Sequence, residues 1–174
     1  MNIIDISIIV PLYNEEEVFN TLIERLTSVI NSAPFTCEVI LVNDGSVDNT
    51  GELMKSICQK DERFTGVILS RNHGHQLAVT AGLSYVRGKK GAMIIDGDLQ
   101  DPPELVTEFF QLLEQGYDVI YAIRKNRKEG YLKKLAYKLY YRFQKKISNF
   151  KIPIDSGDFS MLSNLEHYPG LEEQ

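Results

Sequence analysis

The chain has 174 residues, 43% of them hydrophobic and 25% charged, with a formal net charge of −5. This composition is that of one ordinary folded domain and excludes a disordered, collagen-like or disulfide-dense chain. Its two cysteines, Cys37 and Cys58, match no zinc spacing and are read as reduced thiols in a reducing compartment.

Ile6–Leu12, ISIIVPL, is β-branched and continuously apolar, as in a strand covered on both faces. The run from Ile3 is short and carries Asp5 and Ser7, so it is no secretory signal, and no window reaches the ~20 apolar residues of a membrane span. Asn14 is the expected N-cap of a helix patterned by Val18, Leu22, Ile23, Leu26 and Ile30. Cys37–Val42 is a second strand, and Asp48 or Ser46 is expected to cap a helix bearing Leu53, Met54 and Ile57. Phe64–Leu69 is a third strand. Gln76–Val86 is a helix whose Ala78, Ala81 and Gly82 suit close packing. Gly91–Ile95 is a fourth strand, Glu104–Gln115 a helix started by Pro102 and Pro103, and Tyr117–Ile123 a fifth strand. Five strand–helix alternations predict an α/β domain: a Rossmann-like, mainly parallel sheet with helices on both faces. Asp155–Phe159 reads as a turn, and residues 161–174 as an irregular tail.

Ligands of such sheets bind beyond the carboxyl ends of the strands. Four polar clusters fall there: Tyr13-Asn14-Glu15, Asn43-Asp44-Gly45-Ser46, Arg71-Asn72-His73 and Asp96-Gly97-Asp98. Asp96 and Asp98 are either a solvated turn or a pair of carboxylates facing a hard cation. Asp44 is either a turn residue or an acceptor for a nucleobase N–H or ribose hydroxyl. His73 and His75 fit no zinc pattern and are read as polar loop residues. Neither a GxGxxG after the first strand nor a P-loop is present, which removes support for dinucleotide oxidoreductases and P-loop NTPases.

Charge is divided unevenly. Residues Arg124 to Lys151 hold eleven of the 19 Lys and Arg but one of the 24 acids, Glu129. Leu132, Leu135, Ala136, Leu139, Phe143 and Ile147 recur there at helical spacing, between lysines and tyrosines. This predicts a basic amphipathic helix on an anionic membrane surface, with a solvated helix as the bland alternative. Nucleic acid is not the expected partner, since no recognised binding motif accompanies the charge.

IIVPLYNEEE, LVNDGSVDNT, SRNHGHQLAVTAGL and IIDGDLQDPPE together resemble glycosyltransferase family 2, of GT-A fold. Within it, the chain is similar to the bacterial polyprenyl-phosphate glycosyltransferases and the dolichyl-phosphate mannose synthases. The resemblance runs from about Ile6 to Phe159. It implies an inverting, metal-dependent transfer of a hexose from a UDP- or GDP-sugar to a polyprenyl phosphate, in cell-envelope glycan biosynthesis at the cytoplasmic face of a membrane. Pro11, Tyr13, Asn14 and Glu15 would then line the nucleotide pocket, with Asp44 on the base or ribose and Asp96 near the ribose or diphosphate. Asp98 would ligate Mg²⁺ or Mn²⁺, joined by Gln100, while Asp101 would cap the helix that follows. Asp155 or Asp158 would orient the acceptor or act as a base, and Arg124 and Arg127 would hold its phosphate.

The implied organisation is a nucleotide-sugar-binding core over residues 1–123, a membrane- and acceptor-facing segment over 124–160, and the tail over 161–174. Two departures stand against the family pattern. Relatives of this kind continue past the acidic motif, and they usually carry an Arg after the GDF, where this chain has Ser160. These departures motivate the alternative of a truncated, non-catalytic nucleotide- or membrane-binding module.

Overall fold

The computed structural model describes residues 3–123 and 156–163. In chain order the elements are β1 (Ile6–Leu12), α1 (Glu16–Ser32), β2 (Cys37–Asn43), α2 (Thr50–Lys60), β3 (Phe64–Ile68), α3 (His75–Leu83), β4 (Gly91–Ile94), a 3-10 turn (Pro103–Leu105), α4 (Val106–Glu114), β5 (Val119–Ile123) and β6 (Ser156–Ser163). They build a six-stranded sheet of order β3-β2-β1-β4-β6-β5. β1 runs parallel to β2, with Ile6 opposite Cys37 and Leu12 opposite Asn43. It is also parallel to β4 on its other side, and β2 is parallel to β3.

β1 and β2 are buried along their whole length, which is why they read as unbroken apolar runs: side chains of both faces are covered. One face carries Ile9, Ile40, Val42, Val67 and Ile94 around Ala78 of α3. A Cβ on Gly82 would stand 2.5 Å from Ile9 Cγ2 and 3.0 Å from Val42 Cγ2, so the missing side chain is what lets α3 lie directly on the sheet. On the other face Met54 and Cys58 of α2 lie over Gly66 of β3. The expected helices on both faces are therefore present. α1 buries Phe19, Leu22, Ile23, Leu26, Val29 and Ile30, the predicted stripe with Phe19 in place of the half-buried Val18.

β6 is the main departure from the expectation. The Asp155–Phe159 cluster was expected to turn and Met161–Ser163 to fray. Ser156–Ser163 instead forms a strand antiparallel to β4, with Ile94 opposite Ser160 and Ala92 opposite Leu162. It stands between β4 and β5, so the fifth strand does not continue the parallel run. Phe159 and Met161 are 2% and 0% exposed, and the Phe159 ring lies 5.2 Å from that of Phe109 in α4. Burying side chains of this size contributes about 1.5–3 kcal/mol each, enough to override the turn preference of Ser, Gly and Asp.

Smaller differences have local causes. The two prolines start a 3-10 turn before α4. Tyr117 is drawn into the end of α4 by its N–H bond to Leu112 O at 3.3 Å, after Gly116 at φ +92°, so β5 begins only at Val119. Burial pushes the Cys37 thiol up to about 12, and both cysteines are free. No helix among the described residues is long and apolar enough to cross a membrane. Arg124, Arg127, Asp155 and the basic segment lie outside the described residues, as does the side chain of Asp158 in β6.

Candidate active site

The carboxyl ends of β1, β2 and β4 open on one cleft of about 290 Å³. Pro11, Tyr13, Glu15, Asp44, Asp96 and Asp98 all line it. Asn14 and Gln100, expected beside them, do not. Asn72, from the third polar cluster, does, and so do Gly74 and His75, of which His75 is read from the sequence as a polar loop residue. Their signal was present in the SRNHGHQ cluster that follows the third strand.

Asn14 is not the helix cap. It sits at φ +56°, in left-handed backbone that Asn tolerates better than most residues. Its side-chain Oδ1 accepts from Val47 N–H at 2.9 Å, and its own N–H donates to Ser46 Oγ at 3.0 Å. The cap position of α2 is Asn49 rather than Asp48 or Ser46; Asp48, one residue earlier, joins the two helix starts, its Oδ1 accepting from Thr50 N–H at 3.0 Å and its Oδ2 from Glu16 N–H at 3.2 Å. Glu15 N–H donates to Thr50 Oγ1 at 2.9 Å. The loops after β1 and β2 are thus laced into one rigid wall. This lacing gives an acceptor to the first backbone N–H of α1 and of α2.

Asp44 is 4% exposed. Its Oδ1 accepts from His73 N–H at 2.7 Å and its Oδ2 from Gly74 N–H at 2.9 Å. Gly74 N–H is shared with Asn72 Oδ1 at 3.0 Å. Under this clamp the 71–74 loop presses on the turn after β2. A side chain on Gly45, at φ +67°, would meet Arg71 C at 2.3 Å. Asp44 is therefore a loop-holding residue as well as a cleft residue.

The acidic turn follows β4. Asp96 is half-buried, its Oδ1 3.7 Å from His75 Nδ1. Gly97 is needed for close approach rather than for a bend: a Cβ there would meet Leu12 Cδ2 at 2.6 Å and Pro11 O at 3.1 Å. The left-handed residue is Leu99, two positions on, at φ +64°, a conformation costing about 1–2 kcal/mol for an L side chain. It turns the chain so that Gln100 N–H donates to Asp98 Oδ1 at 2.9 Å and leaves Asp98 exposed at the mouth. Asp101 is 3% exposed, and the cap position of the turn that follows belongs to Pro102.

Negative charge accumulates in this cleft. Glu15 holds its proton above the ordinary carboxylate range, through burial first and then the charges of Asp98, Asp48 and Asp96. A divalent cation at the mouth would relieve that repulsion. The donors are hard oxygens, as Mg²⁺ and Mn²⁺ prefer. No group of three His, Cys, Asp or Glu among the described residues is arranged to hold a metal alone. A Mg²⁺-type ion would need only one or two carboxylates, with phosphate and water completing its shell.

A family model described as Glycosyl transferase family 2 matches residues 7–164. The chain is 41% identical over 160 residues to the uncharacterized glycosyltransferase YkcC of Bacillus subtilis, covering 91% of this chain and 49% of that protein. It is 36% identical over 135 residues to the undecaprenyl-phosphate 4-deoxy-4-formamido-L-arabinose transferase of Salmonella choleraesuis, covering 77% and 41%. It thus spans about half the length of the curated relatives it matches. Among solved structures it resembles mannosyl-3-phosphoglycerate synthase of Rubrobacter xylanophilus, with TM-score 0.66 and 21% identity over 92% of this chain and 53% of that one. It also resembles the mannosyltransferase PcManGT of Pyrobaculum calidifontis, solved with GDP-Man and Mn²⁺, with TM-score 0.64 and 16% identity over 91% and 44%. At such identities the likeness carries the fold, which is GT-A.

Proposed function

Because the chain belongs to glycosyltransferase family 2, we propose that its cleft binds a nucleotide sugar with Mg²⁺ or Mn²⁺ and passes the hexose to a polyprenyl phosphate at a membrane surface. The observation that carries this reading is the convergence of Asp44, Asp96, Asp98 and Glu15 on one cleft at the carboxyl ends of three parallel strands. The undecaprenyl-phosphate named as acceptor of the Salmonella relative supports a lipid phosphate as acceptor class, and the Mn²⁺ and GDP-Man of PcManGT support a metal-bound sugar nucleotide as donor class.

In this reading Pro11, Tyr13 and Asp44 line the nucleoside end, Asn14 holds the wall behind it, and Asp96, fixed beside His75, faces the ribose or diphosphate. Asp98, with Gln100 beside it, would hold the cation, which when bound offsets negative charge on the leaving diphosphate. The acceptor phosphate is already anionic near neutral pH, so no strong base is obligatory; rate arises from positioning and from stabilising the leaving group. Asp155 or Asp158 orients the acceptor, and Arg124 and Arg127 engage its phosphate. The basic segment 124–151 supplies attraction to anionic lipid, about 1 kcal/mol per Lys or Arg near the surface, on the cytoplasmic face.

The test is transfer itself. Radiolabelled sugar from a UDP- or GDP-sugar is expected in the lipid fraction when this chain is mixed with polyprenyl phosphate and Mn²⁺, and EDTA is expected to stop it. Nucleotide binding without transfer to any polyprenyl phosphate would overturn the enzymatic reading in favour of a binding module.

A further inference from the structure

Resting on the reading of the cleft as a nucleotide site, we propose that Thr50, which lies off the cleft at the start of α2, is a positioning residue for that site. Its buried hydroxyl sets Glu15 and, through the left-handed Asn14, Tyr13. The segment from Asp44 to Thr50 gives every second side chain to a neighbouring loop. Asp44 accepts from His73 N–H and Gly74 N–H. Ser46 Oγ, Thr50 Oγ1 and Asp48 Oδ2 accept from three consecutive N–H groups at the end of β1, those of Asn14 at 3.0 Å, Glu15 at 2.9 Å and Glu16 at 3.2 Å. Two bonds run the other way, from Val47 N–H to Asn14 Oδ1 at 2.9 Å and from Asn49 N–H to Glu16 Oε2 at 2.8 Å.

The three acceptors are not equivalent. Ser46 and Asp48 are half-buried, so water can stand in for either of them. Thr50 is 0% exposed, and water does not reach its hydroxyl. Its place is fixed from below. Met54, one turn on in α2, is 1% exposed, and a Cβ on Gly51 would stand 2.8 Å from Asn43 Nδ2, so the first turn of α2 sits directly on the end of β2. Glu15, which Thr50 holds, lines the cleft and runs beside the acidic turn: a Cβ on Gly97 would lie 3.8 Å from Glu15 Cγ. Asn14, between Tyr13 and Glu15, stands at φ +56°, a backbone state that persists only where its surroundings impose it. Without the Thr50 acceptor, Glu15 N–H loses its protein partner and the turn at Asn14 is free to relax. Tyr13 and Glu15, the two cleft residues on either side of it, then leave their places together.

Thr50→Val keeps the shape of the side chain and deletes the acceptor, whereas Thr50→Ser keeps the acceptor. Calorimetric titration of the 174-residue chain and its variants with UDP and with GDP, each with Mn²⁺, tests the role, at a temperature where circular dichroism shows every variant folded. Thr50→Val is expected to weaken the nucleotide that the unaltered chain binds by about tenfold, and Thr50→Ser to restore it. Should Thr50→Val not fold, Thr50→Ala removes the same acceptor with less crowding and carries the same expected loss. Met54→Ala, which loosens the packing of α2 away from the loops, is expected to lower the melting temperature and leave affinity unchanged. Unaltered affinity in Thr50→Val would overturn the inference and leave the nucleotide site standing, and so would an equal loss in Met54→Ala, which would mean general loosening of the helix. Binding of neither nucleotide by the folded, unaltered chain would remove the nucleotide reading and the positioning role together.

Discussion

β2 has a buried carboxylate at each end, and the two are partnered in opposite ways. Glu38, 1% exposed near its start, accepts from Ser7 Oγ at 2.6 Å, Arg87 N–H at 3.0 Å and Arg87 Nε at 2.7 Å, with Arg87 Nη2 also against it. Ser7 Oγ in turn accepts from Gly88 N–H at 2.8 Å. A cation and a ring of donors close the charge, and nothing is left to offer a ligand. Asp44, just past the other end, has backbone donors and, among the described residues, no paired side-chain cation, and it opens on a cleft already crowded with acids. A closed polar network holds strands together, whereas a carboxylate that faces a cleft keeps acceptor positions within reach of a ligand. The two ends of one strand thus separate an acid closed off by its partners from one that lines the cleft.

If that contrast holds, damage at the two rims must have different readouts. The largest effect is expected from Arg87→Ala, which leaves Glu38 buried and charged without its cation. Breaking a buried pair from one side costs about 3 kcal/mol at the low end of the usual range, and the low end applies because the Arg87 side chain is 56% exposed. Thermal unfolding should fall by about 10 °C, with nucleotide affinity nearly unchanged. A large loss of affinity without loss of stability would break the comparison. Next comes Asp98→Ala, expected to weaken Mn²⁺-dependent nucleotide binding by about a hundredfold, or about 2.7 kcal/mol, while stability stays within about 0.5 kcal/mol of wild type. Binding that neither needs Mn²⁺ nor responds to the change would remove the metal role of Asp98.

Gly82→Ala probes the element that joins the two rims. Its methyl would press on Ile9 and Val42, and overpacking of this kind costs about 1–3 kcal/mol. Because α3 follows the Asn72–Gly74 loop clamped by Asp44, both melting temperature and nucleotide affinity should drop, unlike in either preceding variant. The smallest effect is expected at Arg25, whose Nε and Nη2 meet Glu104 Oε1 and Oε2 at 3.0 and 2.7 Å. This pair is partly exposed, so Arg25→Ala should cost about 0.5 kcal/mol at pH 7. The Arg25 hydrogen bond holds Glu104 below its ordinary value of 4.5. The contribution is therefore present above that value and lost as pH falls through the depressed one. Urea unfolding of wild type and variant should differ at pH 7 and converge in stronger acid.

What the amino-acid order alone determined is the central sheet and the position of its functional rim. β1 came out with its bounds unchanged, β2 with one residue added and β3 and β4 with one removed, because continuous β-branched runs between turn residues admit few other structures. The polar clusters after these strands had to meet on one edge once the strands were parallel. The likeness to family 2 was legible in the same motifs. Tertiary structure alone decided what followed. Ser156–Ser163 has turn-forming residues and became a strand because Phe159 and Met161 are buried beside β4. Asn14 left the cap position because Val47, thirty-three residues on, needed an acceptor. Gly97 is required by its close contact with Leu12, and the left-handed turn falls on Leu99. Asp44 gained its clamp from a loop twenty-nine residues away. In each case the deciding contact is long-range, and no local pattern of residue types records which distant donor or side chain will arrive.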